Sequence, residues 1–159
     1  MRITIIAVGS LREKYWRQAA LEYERRLAPY VRLRIQEIAP ERVRDENSPA
    51  QIAQALQKEG EKIRKALPQD HTLVALDVKG RTMSSPELAQ WLEREATYGR
   101  GKVALLIGGS YGLEPDLLAA ADLRLSFSAF TFPHQLMRII LLEQLYRAMK
   151  IQRGEAYHK

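Results

Sequence analysis

The chain has 159 residues, a length that suits a single domain with a buried core over residues 1–159. It has no cysteine, which excludes disulfides and thiolate metal sites, and no membrane span or secretory signal, so we expect a cytoplasmic protein with no membrane partner. The net charge of +6 is concentrated at the two chain ends, which would form an RNA-binding surface if they met, although solvated helix faces explain it equally.

In the first half of the chain, we predict strands over residues 2–8 and 31–38 and helices over residues 12–28 and 49–66. The first strand is β-branched and continuously apolar, whereas the second alternates apolar and polar residues, which is typical of a half-exposed edge strand. Pro29 ends the first helix, because the residue before a proline resists the helical conformation. Ser48 caps the second helix, and Pro49 occupies its first position.

In the second half, we predict strands over residues 72–78, 102–107 and 123–128 and helices over residues 84–98, 114–121 and 133–152. Lys79 and Gly80 are expected to end the first of these strands, and Gly154 to stop the last helix. The alternation predicts one α/β domain with a mostly parallel sheet and helices on both faces.

Three of the predicted strands end in unusual sequences: "LDVKG" (76–80), "IGGSYG" (107–112) and "SFSAFTFPHQ" (126–135). Ligands of such sheets bind outside the carboxyl ends of the strands. The glycine-rich segment matches neither a dinucleotide fingerprint nor a P-loop, so a tight turn and a ligand cradle are equally good explanations of it. The third segment holds all three phenylalanines, which either plug the core or line an apolar slot for a flat ring.

The last predicted helix has a wide apolar surface, which covers roughly 200° of its circumference at 100° per residue. Its members are Met137, Ile139, Leu141, Leu142, Leu145, Tyr146 and Met149. One sheet does not need so wide a surface, and we therefore expect a second apolar partner, a twin subunit. Arg138 lies at the centre of this surface and needs either a carboxylate or a substrate to face it. Beyond the helix, Tyr157 and His158 form either a frayed end or a proton-handling pair.

The segments "IGGSYGL", "FSAFTFPHQLMR", "LEQLYRA" and "GEAYHK", with "ITIIAVGSLREKYW" near the start and "LD-x-x-G" at Leu76 to Gly80, resemble the ribosomal RNA large subunit methyltransferase H family. The resemblance spans the whole chain. It implies an enzyme of the SPOUT class that methylates N3 of a pseudouridine in large-subunit rRNA, within an assembled ribosome. It also implies a C-terminal trefoil knot in the sheet and a homodimer built around the knot.

The resemblance further implies S-adenosylmethionine (SAM) as the methyl donor and no metal. The residues it places at the cofactor are Leu76, Gly108, Phe127, Ser128, Ala129, Phe130, Thr131 and Phe132. On this interpretation, positions 108 and 109 are glycine because the cofactor lies against their backbone, where a side chain would block it. Phe130 departs from the methionine that is usual in the family and is expected to narrow or stiffen the pocket.

For catalysis, the imide N3 of pseudouridine must lose its proton or have its carbonyls polarised. Tyr157 or His158, folded back over the site, is the predicted base, and Arg138 is the predicted stabiliser of charge on a carbonyl oxygen. His134 is expected to brace the cofactor loop. Two rivals stay open: a non-catalytic basic RNA-binding dimer, and a nucleotide-binding α/β protein, which the missing phosphate motifs disfavour.

Overall fold

Five strands alternate with five helices in the computed structural model, which describes residues 1–159. The strands are β1 (Arg2–Val8), β2 (Arg32–Ile38), β3 (Thr72–Thr82), β4 (Lys102–Ile107) and β5 (Leu123–Ser126). The helices are α1 (Lys14–Leu27), α2 (Pro49–Ala66), α3 (Ser85–Thr97), α4 (Pro115–Ala120) and α5 (His134–Gln152). No helix is both long enough and apolar enough to span a membrane.

The strands form one parallel sheet in the order β2-β1-β4-β3-β5. Strand β2 lies at one edge, and its exposed residues alternate with less exposed ones, as the sequence pattern predicted. The carboxyl ends of all five strands therefore lie along the same side of the sheet.

Two hydrophobic cores cover the two faces of the sheet, because successive side chains of a strand point in opposite directions. On β1, Ile3 and Ile5 join the core formed with α1, α3 and α5. Ile6 and Val8 join the smaller core formed with α2 and α4. The predicted α/β fold with a parallel sheet and helices on both faces is confirmed.

Two helices begin at serine caps, of which Ser48 was predicted. The Ser48 hydroxyl accepts a hydrogen bond from the backbone N–H of Gln51 at the start of α2. Ser84 and Glu87 form a reciprocal capping box at the start of α3. These local bonds satisfy backbone donors that a helix start otherwise leaves free.

Strand β3 is longer than predicted, and the prediction that Lys79 and Gly80 end it is wrong. The strand pairs with β5 up to Leu76, shifts register at a bulge, and pairs again from Arg81. A Cβ atom on Gly80 would lie 2.6 Å from the backbone oxygen of Arg124, so only glycine lets the two strands approach at the bulge. In the opposite sense, β5 ends two residues before its predicted end.

Part of the apolar surface of α5 is covered within the chain. The helix packs between α1 and α3 over the sheet, and Leu141, Leu142 and Leu145 are fully buried. Met137, Ile139 and Tyr146 are only half-buried, so the second apolar partner, a twin subunit, stays a prediction. The two basic chain ends do meet, since the Tyr30 hydroxyl donates to Glu155 Oε2 over 2.7 Å.

Candidate functional site

A cavity of about 560 Å³ opens at the carboxyl ends of β3, β4 and β5, which are neighbours in the sheet. The three segments that the sequence singled out lie here: residues 76–80 form the bulged part of β3, and the other two segments lead out of β4 and β5. Residues 76–79 line one side, residues 107–113 a second, and much of residues 124–134 a third. The N-terminus of α5 completes the wall with His134 and Met137. The prediction that a site forms at this edge of the sheet is supported by the convergence of all three segments.

Seven of the eight predicted cofactor residues line this cavity. They are Leu76, Gly108, Phe127, Ser128, Phe130, Thr131 and Phe132. Ala129 does not line it, although both of its neighbours do. The structure thus brings residues from distant parts of the sequence to one place, where their side chains and backbone face the same space.

The glycine-rich loop after β4 closes on itself. A Cβ atom on Gly108 would lie 2.5 Å from the backbone carbon and oxygen of Gly112, and one on Gly109 would lie 3.1 Å from Val8 Cγ1. Gly112 has φ +84° and donates its N–H to the Gly109 oxygen over 3.1 Å. Contacts within the chain are therefore enough to favour glycine at both positions, and the contact of the cofactor with their backbone stays a prediction.

The aromatic segment after β5 is partly core and partly cavity wall. Phe127 packs against the larger core, whereas Phe130 is 77% exposed at the cavity. The Ser128 hydroxyl accepts a hydrogen bond from the Phe130 N–H over 3.0 Å, which holds the turn between them. Phe130 nevertheless lines the cavity, so the expectation that it narrows or stiffens the pocket stays a prediction.

The cavity contains an ion pair that the sequence analysis missed. Arg124 Nε donates to Asp77 Oδ2 over 2.8 Å, and a second guanidinium N–H donates to the same oxygen. Although burial acts to raise it, the pKa of Asp77 is lowered by bonds from Arg124 and from the Lys79 N–H. The only signal was sheet adjacency, since Asp77 lies on β3 and Arg124 on the neighbouring strand β5. An ionised carboxylate at the wall can face a positively charged group of a ligand.

His134 lies between the cavity and the end of β1. Its ring is so close to Gly9 that a Cβ atom there would lie 3.0 Å from Cε1. Its buried Nδ1 has no hydrogen-bond partner within the chain. Burial lowers the pKa of His134, and the charges of Arg138 and Arg12 lower it further. The imidazole is therefore neutral near pH 7 and braces the N-terminus of α5 against β1.

Arg138 lies one turn beyond His134 and is 2% exposed. Its NH1 donates to Glu37 Oε1 over 2.5 Å and its NH2 to the Gly9 oxygen over 2.9 Å. Of the two alternatives for this residue, the intramolecular carboxylate partner is the one found. Arg138 does not line the cavity.

The C-terminal tail is docked on α5 rather than frayed. The Tyr157 hydroxyl donates to Glu143 Oε1 over 3.1 Å, and the Arg147 guanidinium stacks 4.7 Å from the Tyr157 ring centroid. His158 Nδ1 lies 3.3 Å from Arg147 NH1. Burial, with the nearby Glu143 carboxylate, raises the pKa of Tyr157 to about 12, so the phenol keeps its proton.

The tail does not reach the cavity of its own chain. Glu143 lies six residues after Met137, the last residue of α5 that lines the cavity, which corresponds to about 9 Å at 1.5 Å per residue. Arg147, which contacts His158, lies a further turn away. The structure therefore brings the predicted cofactor residues together but leaves Tyr157 and His158 well away from them.

Comparison with known proteins gives the family. The family model described as "Predicted SPOUT methyltransferase" matches residues 1–158. The chain belongs to the SPOUT methyltransferase family. It is also similar in structure to Lpg2936, a presumed methyltransferase of Legionella pneumophila solved with bound SAM, at 11% sequence identity and a TM-score of 0.49. That match covers 96% of this chain and 66% of the other, so this chain spans about two thirds of its length.

SAM fits a SPOUT methyltransferase as the methyl donor, and the cavity of this chain suits such a ligand. Its volume of about 560 Å³ lies within the range of small-molecule sites. Phe127 and Phe132 offer apolar surface for an adenine ring, and the Asp77 carboxylate offers a partner for a cationic group. The chain has no group of three or more His, Cys, Asp or Glu placed to hold a metal ion.

Proposed function

We propose that this SPOUT methyltransferase transfers a methyl group from SAM to N3 of a pseudouridine in large-subunit rRNA. The observation that carries the proposal is the convergence of the bulged part of β3 with the loops after β4 and β5 on one cofactor-sized cavity. The substrate rests on the resemblance of the loop and tail segments to the ribosomal RNA large subunit methyltransferase H family. The whole-chain family match supports the chemistry at the level of methyl transfer.

Bound SAM supplies an electrophilic methyl group, so the chain's main task is to align the reacting atoms. The three segments hold the donor, and the Asp77–Arg124 pair fixes the charge at the cavity wall. His158 is the preferred proton acceptor, because histidine is the side chain that most often acts as a general base and the Tyr157 phenol keeps its proton. Tyr157, with a pKa of about 12, is better suited to donate a hydrogen bond to a carbonyl oxygen of the base.

A homodimer is part of the proposal. Because Tyr157 and His158 lie against Glu143 and Arg147, their own cavity is out of reach without undocking. In a symmetric dimer whose α5 helices lie near each other, the tail of one protomer can complete the site of the other. We also propose that the loops after β4 and β5, with α5, form the trefoil knot that the resemblance implies.

The test is a methyl-transfer assay with tritiated SAM and three substrates: protein-free large-subunit rRNA, isolated large subunits and assembled ribosomes. The proposal requires label in pseudouridine of at least one substrate and SAM binding by calorimetry. Transfer to another nucleoside would contradict the assigned base but not methyl transfer. RNA binding without SAM binding would favour the non-catalytic RNA-binding module.

A further inference from the structure

The amino ends of three neighbouring strands carry a row of cations. The register pairs Arg2 of β1 with Arg32 of β2 on one side and with Lys102 of β4 on the other. Neighbouring strands lie about 4.8 Å apart, so the row is about 10 Å wide at the Cα atoms. Arg34, two residues beyond Arg32 on β2, adds a fourth cation beside Thr4.

All four cations lie on the same face of the sheet. Ile3 and Val103, the residues that follow Arg2 and Lys102, point into the core beneath α1, α3 and α5. Alternation places Arg2 and Lys102 on the opposite face, with Arg32 and Arg34. The three arginines are exposed, and Lys102 is half-buried. We call this set, Arg2, Arg32, Arg34 and Lys102, the basic sheet surface.

Little within the chain neutralises the basic sheet surface. None of Arg2, Arg32 and Arg34 forms a salt bridge. Lys102 has only the exposed Asp70, 3.9 Å away, which also lies 3.6 Å from Arg100. Like charges directly opposite each other on neighbouring strands are destabilising, so the fold tolerates this row at a cost.

Edge protection does not explain the whole row. Charged residues on an edge strand discourage pairing with other chains, and this accounts for Arg32 and Arg34 on β2. Arg2 and Lys102, however, lie on inner strands, where no edge needs protection. A cost that local structure does not explain is expected at functional surfaces.

The surface is also accessible and concave. Hollows of about 310 Å³ and 640 Å³ lie on either side of Arg2 and Lys102, which line both. Pro68 and Gln69 wall the smaller hollow, and Arg32 and Arg100 line the larger one. A backbone of phosphate groups can therefore approach cations from two sides.

We propose that the basic sheet surface binds phosphate groups of the RNA substrate, at a second contact remote from the methyl-transfer cavity. The inference rests on the proposed RNA substrate. Arg2 and Lys102 begin strands whose carboxyl ends lead towards the cavity, and a strand of six or seven residues is about 20 Å long. The RNA must therefore extend about 20 Å beyond the modified nucleotide, which favours a large folded RNA over a short hairpin.

The test compares Arg2→Gln/Arg32→Gln with the control Lys58→Gln/Arg94→Gln. Both doubles remove two positive charges, and Lys58 and Arg94 are exposed and form no salt bridge. Affinity for purified large-subunit rRNA is measured across a salt series. Loss of two phosphate contacts is expected to lower the slope of log affinity against log salt by about 2, and the control is expected to keep the wild-type slope.

Four further readouts separate the outcomes: SAM affinity, thermal stability, oligomeric state and methyl transfer. SAM affinity and thermal stability should not fall in Arg2→Gln/Arg32→Gln, because like-charge repulsion is removed. Equal loss of rRNA affinity in the control would overturn the proposal. A change of oligomeric state in Arg2→Gln/Arg32→Gln without loss of rRNA affinity would also overturn it, because the basic sheet surface would then bind an acidic surface of a second copy. Normal methyl transfer with an unchanged salt slope contradicts this surface alone, whereas absence of transfer by the wild type to any RNA contradicts the proposed function as well.

Discussion

Gly108 closes the loop that forms one wall of the cavity. In Gly108→Ala the new Cβ would meet the Gly112 backbone at 2.5 Å, so the loop must move. We expect a loss of stability of about 1–3 kcal/mol, typical of overpacking. We also expect SAM affinity to fall roughly tenfold or more, which corresponds to about 1.4 kcal/mol. Calorimetry and thermal melts measure the two effects.

The matched control is Gly101→Ala. Gly101 has φ +64°, and a Cβ atom there would have no heavy atom within 4 Å. A left-handed conformation costs a non-glycine residue about 1–2 kcal/mol, so stability should fall to a similar extent. SAM binding should stay normal, because Gly101 precedes β4 at the far side of the sheet. Equal losses of SAM affinity in both variants would mean that Gly108 acts through global stability.

Substitutions of Arg138 test whether this buried cation has a structural or a catalytic role. Arg138→Met removes two charged hydrogen bonds, and we expect a destabilisation of about 2 kcal/mol. The loss of stability is limited to this value because the Glu37 carboxylate, whose side chain is 44% exposed, can be hydrated by solvent once Arg138 is absent. Arg138→Lys should retain part of the stability and most of the methyl transfer. Loss of turnover in Arg138→Lys, at wild-type stability and SAM affinity, would instead assign Arg138 to the substrate.

The burial of His134 is expected to make the stability of the protein depend on pH. Its folded pKa lies below the ordinary 6.5, because burial and two nearby arginines disfavour the protonated ring. Folding therefore favours the neutral imidazole, and this preference adds to the free energy of unfolding. The added stability is complete above pH 6.5 and is lost as the pH falls through the lowered pKa. Urea unfolding measured from pH 8 to about pH 5 should show a fall in the free energy of unfolding of the wild type and a smaller fall in His134→Gln. A full loss in His134→Gln would assign the acid sensitivity to other groups.

Most elements were predictable from local signals. The Ser48 and Ser84 caps fix helix starts, and the alternation in β2 reveals an edge strand. The extension of β3 was not predictable, because it depends on pairing with β5 beyond a bulge. The same reason applies to α5, whose wide apolar surface indicates burial but not which neighbours provide it.

The C-terminal tail is an element whose role can be tested by deletion. Removal of Tyr157 to Lys159 leaves every cavity-lining residue in place, so SAM affinity should change by a few-fold at most. Methyl transfer should be lost, because the proposed proton acceptor is removed. His158→Ala is expected to lower single-turnover rates by roughly 10²-fold or more, the usual contribution of a general base. Wild-type rates in His158→Ala with normal RNA binding would show that the tail does not act in catalysis.

At the level of the whole molecule, the sequence predicted which loops form the site but not which residues complete it. Parallel topology brings the carboxyl ends of β3, β4 and β5 together, so three sequence segments sufficed to locate the cavity. The Asp77–Arg124 pair depends on strand order, which periodicity does not encode. The docking of Tyr157 on Glu143 depends on tertiary packing after the last helix, and it changes the expected geometry of catalysis.

Because the tail is docked on α5 of its own chain, we predict that the tail of one subunit acts at the cavity of the other. Gly108→Val retains its tail but lacks a working cavity, because a side chain larger than that of alanine would collide further with the Gly112 backbone. The chain without Tyr157 to Lys159 retains its cavity but lacks the tail. In a symmetric dimer, equal co-expression gives heterodimers in about half of the molecules, each with one intact site if the tail acts on its partner. The mixture should then recover about a quarter of wild-type methyl transfer, although each parent is inactive. Recovery should require co-expression or exchange of subunits, which differently tagged chains can verify. No recovery in purified heterodimers would mean that each tail undocks from α5 and serves its own cavity.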